Sequence, residues 1–358
     1  MIKIMRRVGT DVSYYLQDPA AELEDIRRGD AGRWLRGVGP LTTASVASVL
    51  TPSPRTATTG YDIVIAAPRM VSILLAVGRN PEGVVDAHQR AVAATVSYLE
   101  SRGVVVVSRG ESQERDAAQW SKIVSFTHGI NRAGEPHLHD HVLTGSLPLG
   151  AARVLERASL VAHATSADAF YKAVLRYEIR ERTGEIVWRS FHGTDHVVGY
   201  DEGFRALWGG HHSERNDKTI WRRDDVVARW QRDIALFEPV AHLRPPTRSF
   251  EVLDEHTFAQ MLWGRSSISR RDVMEGAAHG STFGCPGAVL EAFVDAVAPS
   301  VRHQRGLDAA TTSARDIVAF DHVRERGPRP LSVSGLDAWR AGRRRPAEHK
   351  IDHLRERV

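Results

Sequence analysis

The stretch SFTHGINRAGEPHLHDHVLTG, residues 125–145, decides how the rest of the chain is interpreted. Three of its histidines, His137, His139 and His141, alternate with other residues. Alternation at period two is typical of a β-strand that presents such side chains on one face. The sequence therefore predicts a strand with a row of imidazoles along one side.

A turn-forming segment, NRAGEP, lies just before this strand. Its asparagine, glycine and proline are residues that favour tight turns, so the chain should reverse direction there. We expect an antiparallel hairpin with strands over residues 121–130 and 137–147, called the histidine hairpin below. In such a hairpin His128 lies on the first strand, beside the histidine face of the second.

Strand geometry indicates which of these histidines can share a metal ion. Strand residues two apart are about 6.5–7 Å apart and residues four apart roughly 13 Å, whereas a nitrogen ligand must come within about 2.0–2.1 Å of the ion. Two adjacent strand histidines and one from the neighbouring strand satisfy this best: His139, His141 and His128, with His137 as a flanking residue. Three neutral imidazoles leave open coordination positions, which suits catalysis. The alternative is a solvated, histidine-rich strand.

Composition and charge place the chain among globular proteins with a basic character. Its 358 residues are long enough for two domains and a substantial core. The net charge is +4, and the basic residues are nearly all arginine, which binds phosphate bidentately. This charge is compatible with nucleic-acid binding, although a GC-rich genome would also raise the arginine content.

Targeting signals are not evident in the sequence. No run of eighteen or more uncharged apolar residues occurs, so we expect no transmembrane helix and no membrane insertion. The basic start, MIKIMRRVGTDVSYY, lacks an apolar stretch long enough for a signal peptide. Cys285 is the single cysteine, which excludes an internal disulfide and fits a reducing cytosol. We expect a cytoplasmic protein in which Cys285 is a small buried residue.

The first part of the chain predicts a short strand, a helix start and a buried strand. Residues 1–8 form the first strand, and a helix begins at 11–16, capped by Thr10 or Asp11. The apolar run YDIVIAAP, residues 61–68, is bounded by glycine and proline and predicts a buried strand. Asp62 stands at the beginning of this strand, where a lone carboxylate is usually solvated.

The remaining periodic segments complete a mixed pattern. Helices are predicted at 69–78, 81–103 and 159–183, the last with one apolar face and a stop at Gly184. Further strands are predicted at 104–110 and 185–191. With an antiparallel hairpin at its centre, this order predicts an α+β fold, one mainly antiparallel sheet covered by helices.

At this point the sequence resembles a known family. A tyrosine pair near the N-terminus, an aspartate opening the strand before AAPRMVS, and FTHGINRAGEPHLHDH together resemble the relaxase domain of MobF-type conjugative relaxases, which belong to the HUH endonucleases. The segments DAFYKAVLRYEIRERTG and VVGYDEGFRALW also resemble that family. The likeness covers roughly residues 1–235, and the histidine segment is its most specific part.

The resemblance implies a fold, a site and a reaction. It implies the HUH relaxase fold, with His128, His139 and His141 as ligands of a divalent metal ion. Tyr14 matches the nucleophile, and Tyr15 is a lesser candidate for it. Asp62 matches the carboxylate that orients a metal-bound histidine and accepts the tyrosine proton.

The implied reaction is cleavage of single-stranded or extruded DNA at an origin of transfer, giving a 5′-phosphotyrosine and a free 3′-hydroxyl. The same chemistry run in reverse rejoins the strand without ATP. Origin DNA, accessory relaxosome proteins and a coupling protein are the implied partners. Cellular abundance favours magnesium or manganese, and imidazole ligands also suit zinc, nickel or copper.

Three features depart from the family pattern. Many relatives have a second tyrosine about two helical turns after the first, but residues 16–33 contain none. No GxxxxGK[ST] motif occurs in these 358 residues, so we expect no helicase motor among them. Residues 203–235 are short beside the family's DNA-wrapping arm.

The extent of the family resemblance and the composition of the remaining residues suggest the domain organisation. We expect a relaxase domain over 1–236, a linker at 237–250, a small helical domain at 251–320 and a charged tail at 321–358. The helical part faintly resembles the segment that leads into the helicase of longer relatives. The tail is either solvated and disordered or a binding tail for DNA or a partner.

Three other interpretations remain open. A rolling-circle replication initiator shares the histidine hairpin but places its tyrosine after the histidines, with a lysine four residues on, which Tyr171 and Tyr177 lack. A cupin-type metal oxygenase needs a glutamate shortly after the histidines, and VLTGSLPLG contains none. The third alternative is a non-catalytic DNA-binding relic that has kept the fold.

Overall fold

The computed structural model describes most of the N-terminal two thirds of the chain and part of the rest. Described residues are 1–16, 32–50, 57–101, 106–109, 114–117, 119–131, 133–149, 155, 157–190, 193–200, 208, 223–235, 253, 258, 261–262, 268–297 and 311–312. The predicted linker at 237–250 and the predicted tail at 321–358 lie outside these residues.

A five-stranded sheet forms the centre of the fold. Its strands are β1 (Ile2–Val8), β2 (Gly32–Arg36), β3 (Thr58–Ala66), β6 (Ile123–Ile130) and β7 (Pro136–Gly145), in the spatial order β1-β3-β7-β6-β2. Every adjacent pair is antiparallel. Three two-stranded ribbons complete the described strands: β4 (Val106–Arg109) with β5 (Glu114–Ala117), β8 (Val187–Arg189) with β9 (Asp195–Val197), and β10 (Ile268–Ser269) with β11 (Thr311–Thr312).

Seven helices are described, and the longest ones cover one face of the sheet. They are α1 (Thr43–Ala47), α2 (Arg69–Val77), α3 (Pro81–Ser101), α4 (Arg157–Thr183), α5 (Arg223–Ala235), α6 (Arg270–Gly280) and α7 (Gly287–Val297). Apolar residues of α2, α3 and α4 pack with Ile63, Ile65 and Val142 of the sheet in one large core. Gly184, at φ +71°, ends α4 in the left-handed conformation that glycine adopts without strain. None of the described helices is long and apolar enough to cross a membrane.

The other face of the sheet carries a second, smaller core. Val12 and Tyr15, from the segment after β1, pack there with Val46 of α1 and with Phe126 and Leu143 of the central strands. Because side chains alternate along a strand, the histidines at 139 and 141 project to this face, beside Leu143. The small core therefore packs beside His139 and His141 and stabilises the part of the sheet that carries the candidate site.

The helices α6 and α7 pack against α4. The buried guanidinium of Arg176 on α4 pairs with Asp195 at 2.8 Å and donates to the carbonyl oxygens of Ala278 and Ser281, each at 3.0 Å. Between the two helices, Gly284 has φ +89°, and a Cβ there would lie 2.2 Å from the backbone nitrogen of Tyr177. The connection can approach α4 this closely only because residue 284 is glycine.

The predicted fold class is confirmed. The sheet is antiparallel and covered by helices, and the hairpin strands lie at 123–130 and 136–145, within one or two residues of the prediction. The strand predicted at 1–8, the helices at 69–78 and 81–103, and the helix stop at Gly184 are also found.

Two local expectations are wrong. The segment after Asp11 is a turn rather than a helix start: the Asp11 side chain accepts from the Ser13 N–H at 2.9 Å, and the Tyr15 N–H donates to the Val12 oxygen at 3.0 Å. Aspartate satisfies backbone donors in turns as well as at helix N-termini, so this signal does not separate the two. Asp62 does not lie at the beginning of its strand, as expected, but in the middle of β3, where it is 1 % exposed.

Candidate metal centre and tyrosine pair

His128, His139 and His141 form one buried cluster on the small-core face of the sheet. His128 on β6 is directly opposite His139 on β7, and His141 follows two residues along β7. Their ring centroids are 5.1 to 5.3 Å apart in all three pairs. One nitrogen from each ring lies within 4.8 Å of the other two, so the three side chains can hold a single metal ion.

Hydrogen bonds to the Nδ1 atoms fix the orientation of two of these rings. Nδ1 of His139 lies 2.8 Å from the carbonyl oxygen of His137, and Nδ1 of His141 lies 3.0 Å from both carboxylate oxygens of Asp62. Carbonyl and carboxylate oxygens only accept, so each Nδ1 carries the proton and donates. The Nε2 atoms of both rings therefore keep the lone pair that a metal ion requires.

The protonation of His139 also suits metal binding. Burial lowers the pKa of His139 well below its ordinary value, and the neighbouring imidazoles of His137, His128 and His141 lower it further. A neutral ring needs no deprotonation before it coordinates. Three nitrogen donors, two of them on rings whose orientation is fixed by hydrogen bonds, fit a divalent ion of the zinc, manganese, nickel or copper type, with further coordination positions open.

His137 flanks this cluster. Its ring is half-buried and lies 4.7 Å from the ring of His139, centroid to centroid, but it is not one of the three converging side chains. Its contribution to the cluster is the backbone carbonyl that accepts from His139.

Asp62 joins the histidine cluster to the tyrosine pair. It lies on β3, the neighbour of β7, where its partner across the strands is Leu143. Both of its oxygens accept from His141, and Oδ2 also accepts from the hydroxyl of Tyr15 at 2.7 Å. A carboxylate bound to the far nitrogen of a metal-binding imidazole orients the ring and raises its basicity.

Tyr15 is the inner member of the tyrosine pair. It is 1 % exposed, and its ring stacks on Phe126 with centroids 5.4 Å apart and planes at 23°. The guanidinium of Arg7 lies 5.6 Å from the centre of the ring. Burial raises the pKa of the Tyr15 phenol far above its ordinary value, and the charge of Asp62 raises it further.

Tyr14 is the outer member of the pair. Its side chain is 46 % exposed, and its ring centroid lies 5.6 Å from that of His141 and 6.2 Å from that of His128. The rings of Tyr14 and Tyr15 meet edge to face at 5.1 Å. The turn at 13–16 thus directs one tyrosine into the small core and leaves the other beside the histidines, half-exposed to solvent.

A second buried polar network surrounds Asp140, on the face of β7 opposite the histidine cluster. The sequence patterns did not identify this network. Asp140 accepts from Ser125 at 2.6 Å and from Arg33 at 3.0 Å, and its other oxygen lies 3.0 Å from Nε2 of His88. Nδ1 of His88 in turn lies 2.6 Å from the hydroxyl of Tyr171. One signal in the sequence could have indicated it. Asp140 alternates with His139 and His141, so it faces the helices, and a buried charge there needs hydrogen-bonding partners.

Comparisons with known proteins point to one family. A family model described as TrwC relaxase matches residues 20–217, more than half of the chain. Two solved structures described as conjugative relaxase TrwC in complex with OriT DNA are similar in fold: the metal-bound one has a TM-score of 0.52 at 20% identity, and the metal-free one 0.53 at 21%. Each alignment covers 66% of this chain and 98% of the other. A copper-bound complex is similar at a TM-score of 0.50 and 21% identity. Among curated protein sequences, none matches this chain significantly.

Proposed function

The chain belongs to the TrwC relaxase family, and we propose that it cuts one strand of DNA at an origin of transfer by transesterification to Tyr14. The observation that carries this proposal is the position of a half-exposed phenol beside three imidazoles that converge on one point. His128, His139 and His141 are the proposed metal ligands, and Asp62 orients His141. The bound metal ion is proposed to be divalent, and which ion is native is left to measurement.

The chemistry of the site follows from what a tyrosine nucleophile needs. A phenol with an ordinary pKa near 10 is mostly protonated at neutral pH, so it is a weak nucleophile unless its proton is removed. A bound divalent ion would supply charge stabilisation at the non-bridging oxygens of the scissile phosphate. The three imidazoles would hold the ion beside the Tyr14 ring. Because the three histidines are buried, their place in the sheet is fixed.

The proposed step exchanges one phosphoester for another. The Tyr14 oxygen forms a bond to phosphorus, the bond from phosphorus to the 3′ oxygen breaks, and the proton lost by the phenol is balanced by the one gained by the leaving 3′ oxygen. The products are a 5′-phosphotyrosine and a free 3′-hydroxyl. The phosphoester energy is retained, so attack by a 3′-hydroxyl reverses the step and rejoins the strand.

A covalent-adduct assay tests this proposal. Single-stranded oligonucleotides tiled across the DNA that flanks the gene, labelled at the 3′ end, are incubated with the protein and Mg²⁺ or Mn²⁺. Because the 5′-phosphate of the labelled fragment becomes attached to the protein, we expect a labelled protein band on a denaturing gel and a phosphotyrosine peptide containing Tyr14. Tyr14→Phe should abolish the band.

The same assay separates the proposed enzyme from a DNA-binding relic. A relic binds one of the oligonucleotides in a native gel but forms no adduct with any ion. That result, or an adduct that persists in Tyr14→Phe, would overturn the assignment of Tyr14 as the nucleophile.

A further inference from the structure

We propose that Tyr15 is a positioning residue of the metal centre and not a second nucleophile: its hydroxyl holds Asp62, and Asp62 holds His141. The inference deepens the proposed function and rests on it for the identity of the nucleophile. The chain of contacts is continuous, with 2.7 Å from the Tyr15 hydroxyl to Asp62 Oδ2 and 3.0 Å from Asp62 to Nδ1 of His141.

Tyr15 is held on every side that the structure describes. Its ring stacks on Phe126, contacts the edge of the Tyr14 ring, and lies 5.4 Å from the ring of His141, centroid to centroid. Only 1 % of its surface is exposed. A phosphodiester can reach its oxygen only if this packing opens, whereas the half-exposed Tyr14 needs no such opening.

The hydroxyl of Tyr15 is also already engaged. It donates to the buried carboxylate of Asp62 at 2.7 Å, so attack on a phosphodiester would first have to break the contact that orients Asp62. The ring of Tyr14, in contrast, is half-exposed and contacts the imidazoles of His128 and His141.

What Tyr15 supplies is a fixed orientation of Asp62. A buried carboxylate needs its acceptor sites filled, and His141 alone leaves part of Oδ2 without a donor. The Tyr15 hydroxyl fills that place and opposes rotation of the carboxylate about its terminal bond. Outer-shell groups of this type typically change metal affinity or activity by about 10–100-fold when removed.

One consequence concerns termination, if strand transfer ends with a second cleavage. If Tyr15 stays packed against the sheet, each molecule has one accessible tyrosine in the described part of the site. A second cleavage must then reuse Tyr14 after it has been released or take place on another molecule.

The test measures metal affinity in the absence of DNA. Mn²⁺ is titrated calorimetrically into the full-length protein and into Tyr15→Phe, with Tyr98→Phe as the matched control, because Tyr98 is equally buried and its hydroxyl lies near Ser166 on the helical side. We expect Tyr15→Phe to weaken Mn²⁺ binding about tenfold, and Tyr98→Phe to leave it unchanged. A purely structural loss would lower the melting temperature of both variants without this difference in affinity.

A double-mutant comparison identifies the path of the effect. If Tyr15 acts through Asp62, the change Tyr15→Phe should cost little further affinity in an Asp62→Asn background, because contacts in one network are not additive. Full additivity of the two changes would overturn the proposed path. Mn²⁺ affinity of Tyr15→Phe equal to that of the wild type, or no Mn²⁺ binding by the wild type, would overturn the positioning role.

The nucleophile part has its own readout. In Tyr14→Phe, peptide mapping should find no DNA adduct on Tyr15 even at high metal concentration, and an adduct there would overturn the proposal. If wild-type protein forms no adduct at all, the proposed function fails, while the affinity measurements still decide whether Tyr15 positions the metal site.

Discussion

His139 and Asp140 are consecutive residues of β7 whose side chains enter opposite faces of the central sheet. His139 joins the three-histidine cluster, while Asp140 lies fully buried among His88, Arg33 and Ser125 on the side of the helices. β7, which carries two of the proposed ligands, is therefore held in the sheet by a charged network on its helix-facing side.

We expect Asp140→Asn to destabilise the protein by about 3 kcal/mol, because removal of one partner leaves buried polar groups uncompensated. Urea unfolding followed by circular dichroism measures the free energy of unfolding. The matched control is Asp86→Asn, since Asp86 is 48% exposed where it pairs with Arg90 and Arg182. Exposed pairs contribute less than about 1 kcal/mol, so similar losses in the two variants would contradict the anchoring role.

The same carboxylate should make stability depend on acid pH. Burial alone would raise the pKa of Asp140, but His88, Arg33 and Ser125 lower it below its ordinary value of 3.8. A folded-state pKa below the unfolded one gives stability that is present above the unfolded pKa and lost as pH falls toward the folded pKa. The stability difference between wild type and Asp140→Asn should therefore be constant from pH 7 to 5 and shrink from pH 4 to 2. A difference that grows on acidification would show that the sign is wrong.

The ligand assignment predicts a contrast among four histidines. His128→Ala, His139→Ala and His141→Ala each remove one of three donors and should weaken Mn²⁺ or Zn²⁺ binding by more than about tenfold, which is the smaller end of the range for outer-shell changes. His137→Ala keeps the backbone carbonyl that orients His139 and should change affinity less than any of them. Calorimetry on the four variants tests this order. An equal loss in His137→Ala would place that imidazole among the ligands.

The single cysteine reports on the packing of α6 and α7 against α4. Burial raises the pKa of the Cys285 thiol to about 12, its side chain is 1 % exposed, and its N–H donates to the Ala173 oxygen on α4. At pH 8 a thiol of that pKa is ionised to about one part in ten thousand, and the thiolate is the reactive form. We expect Ellman's reagent to label Cys285 only after unfolding.

A second variant makes the labelling experiment specific. Arg176→Met removes the donors that reach Ala278 and Ser281, so it should speed labelling of Cys285 by loosening the α4 contact. Arg90→Met changes an exposed arginine and serves as the comparison. Rapid labelling of the folded wild type would show that the helices separate readily from α4.

The sequence allowed the histidine cluster to be predicted because its geometry is local. Period-two spacing and a short turn place His128 opposite His139, and the reach of an imidazole excludes His137 from a set that already holds His139 and His141. These relations depend on one hairpin alone. Nothing in them requires knowledge of how distant segments meet.

The positions of the two tyrosine rings could not be predicted in the same way, and only the family resemblance favours Tyr14 over Tyr15 as the nucleophile. Adjacent residues in an irregular turn have no fixed period, so the sequence alone does not determine which ring enters the core. The sequence pattern also places Asp62 at the start of a strand, because Gly60 has the character of a strand boundary. In the sheet Gly60 lies inside β3, where a Cβ would meet the Thr144 carbonyl oxygen at 2.2 Å, so the glycine permits close strand pairing instead of ending the strand.

The central place of β7 has a consequence for how the protein reaches its native state. The hairpin pairs residues close in the chain, whereas Asp62 and His141 are 79 residues apart. Local pairings form faster than distant ones, because closing a long loop costs more entropy. We therefore expect a refolding chain to bring its three imidazoles together before the carboxylate that orients His141 reaches them. A metal ion added at the start of refolding would encounter the histidines before Asp62 is in place. The rate at which native protein forms should therefore depend on when the ion is added.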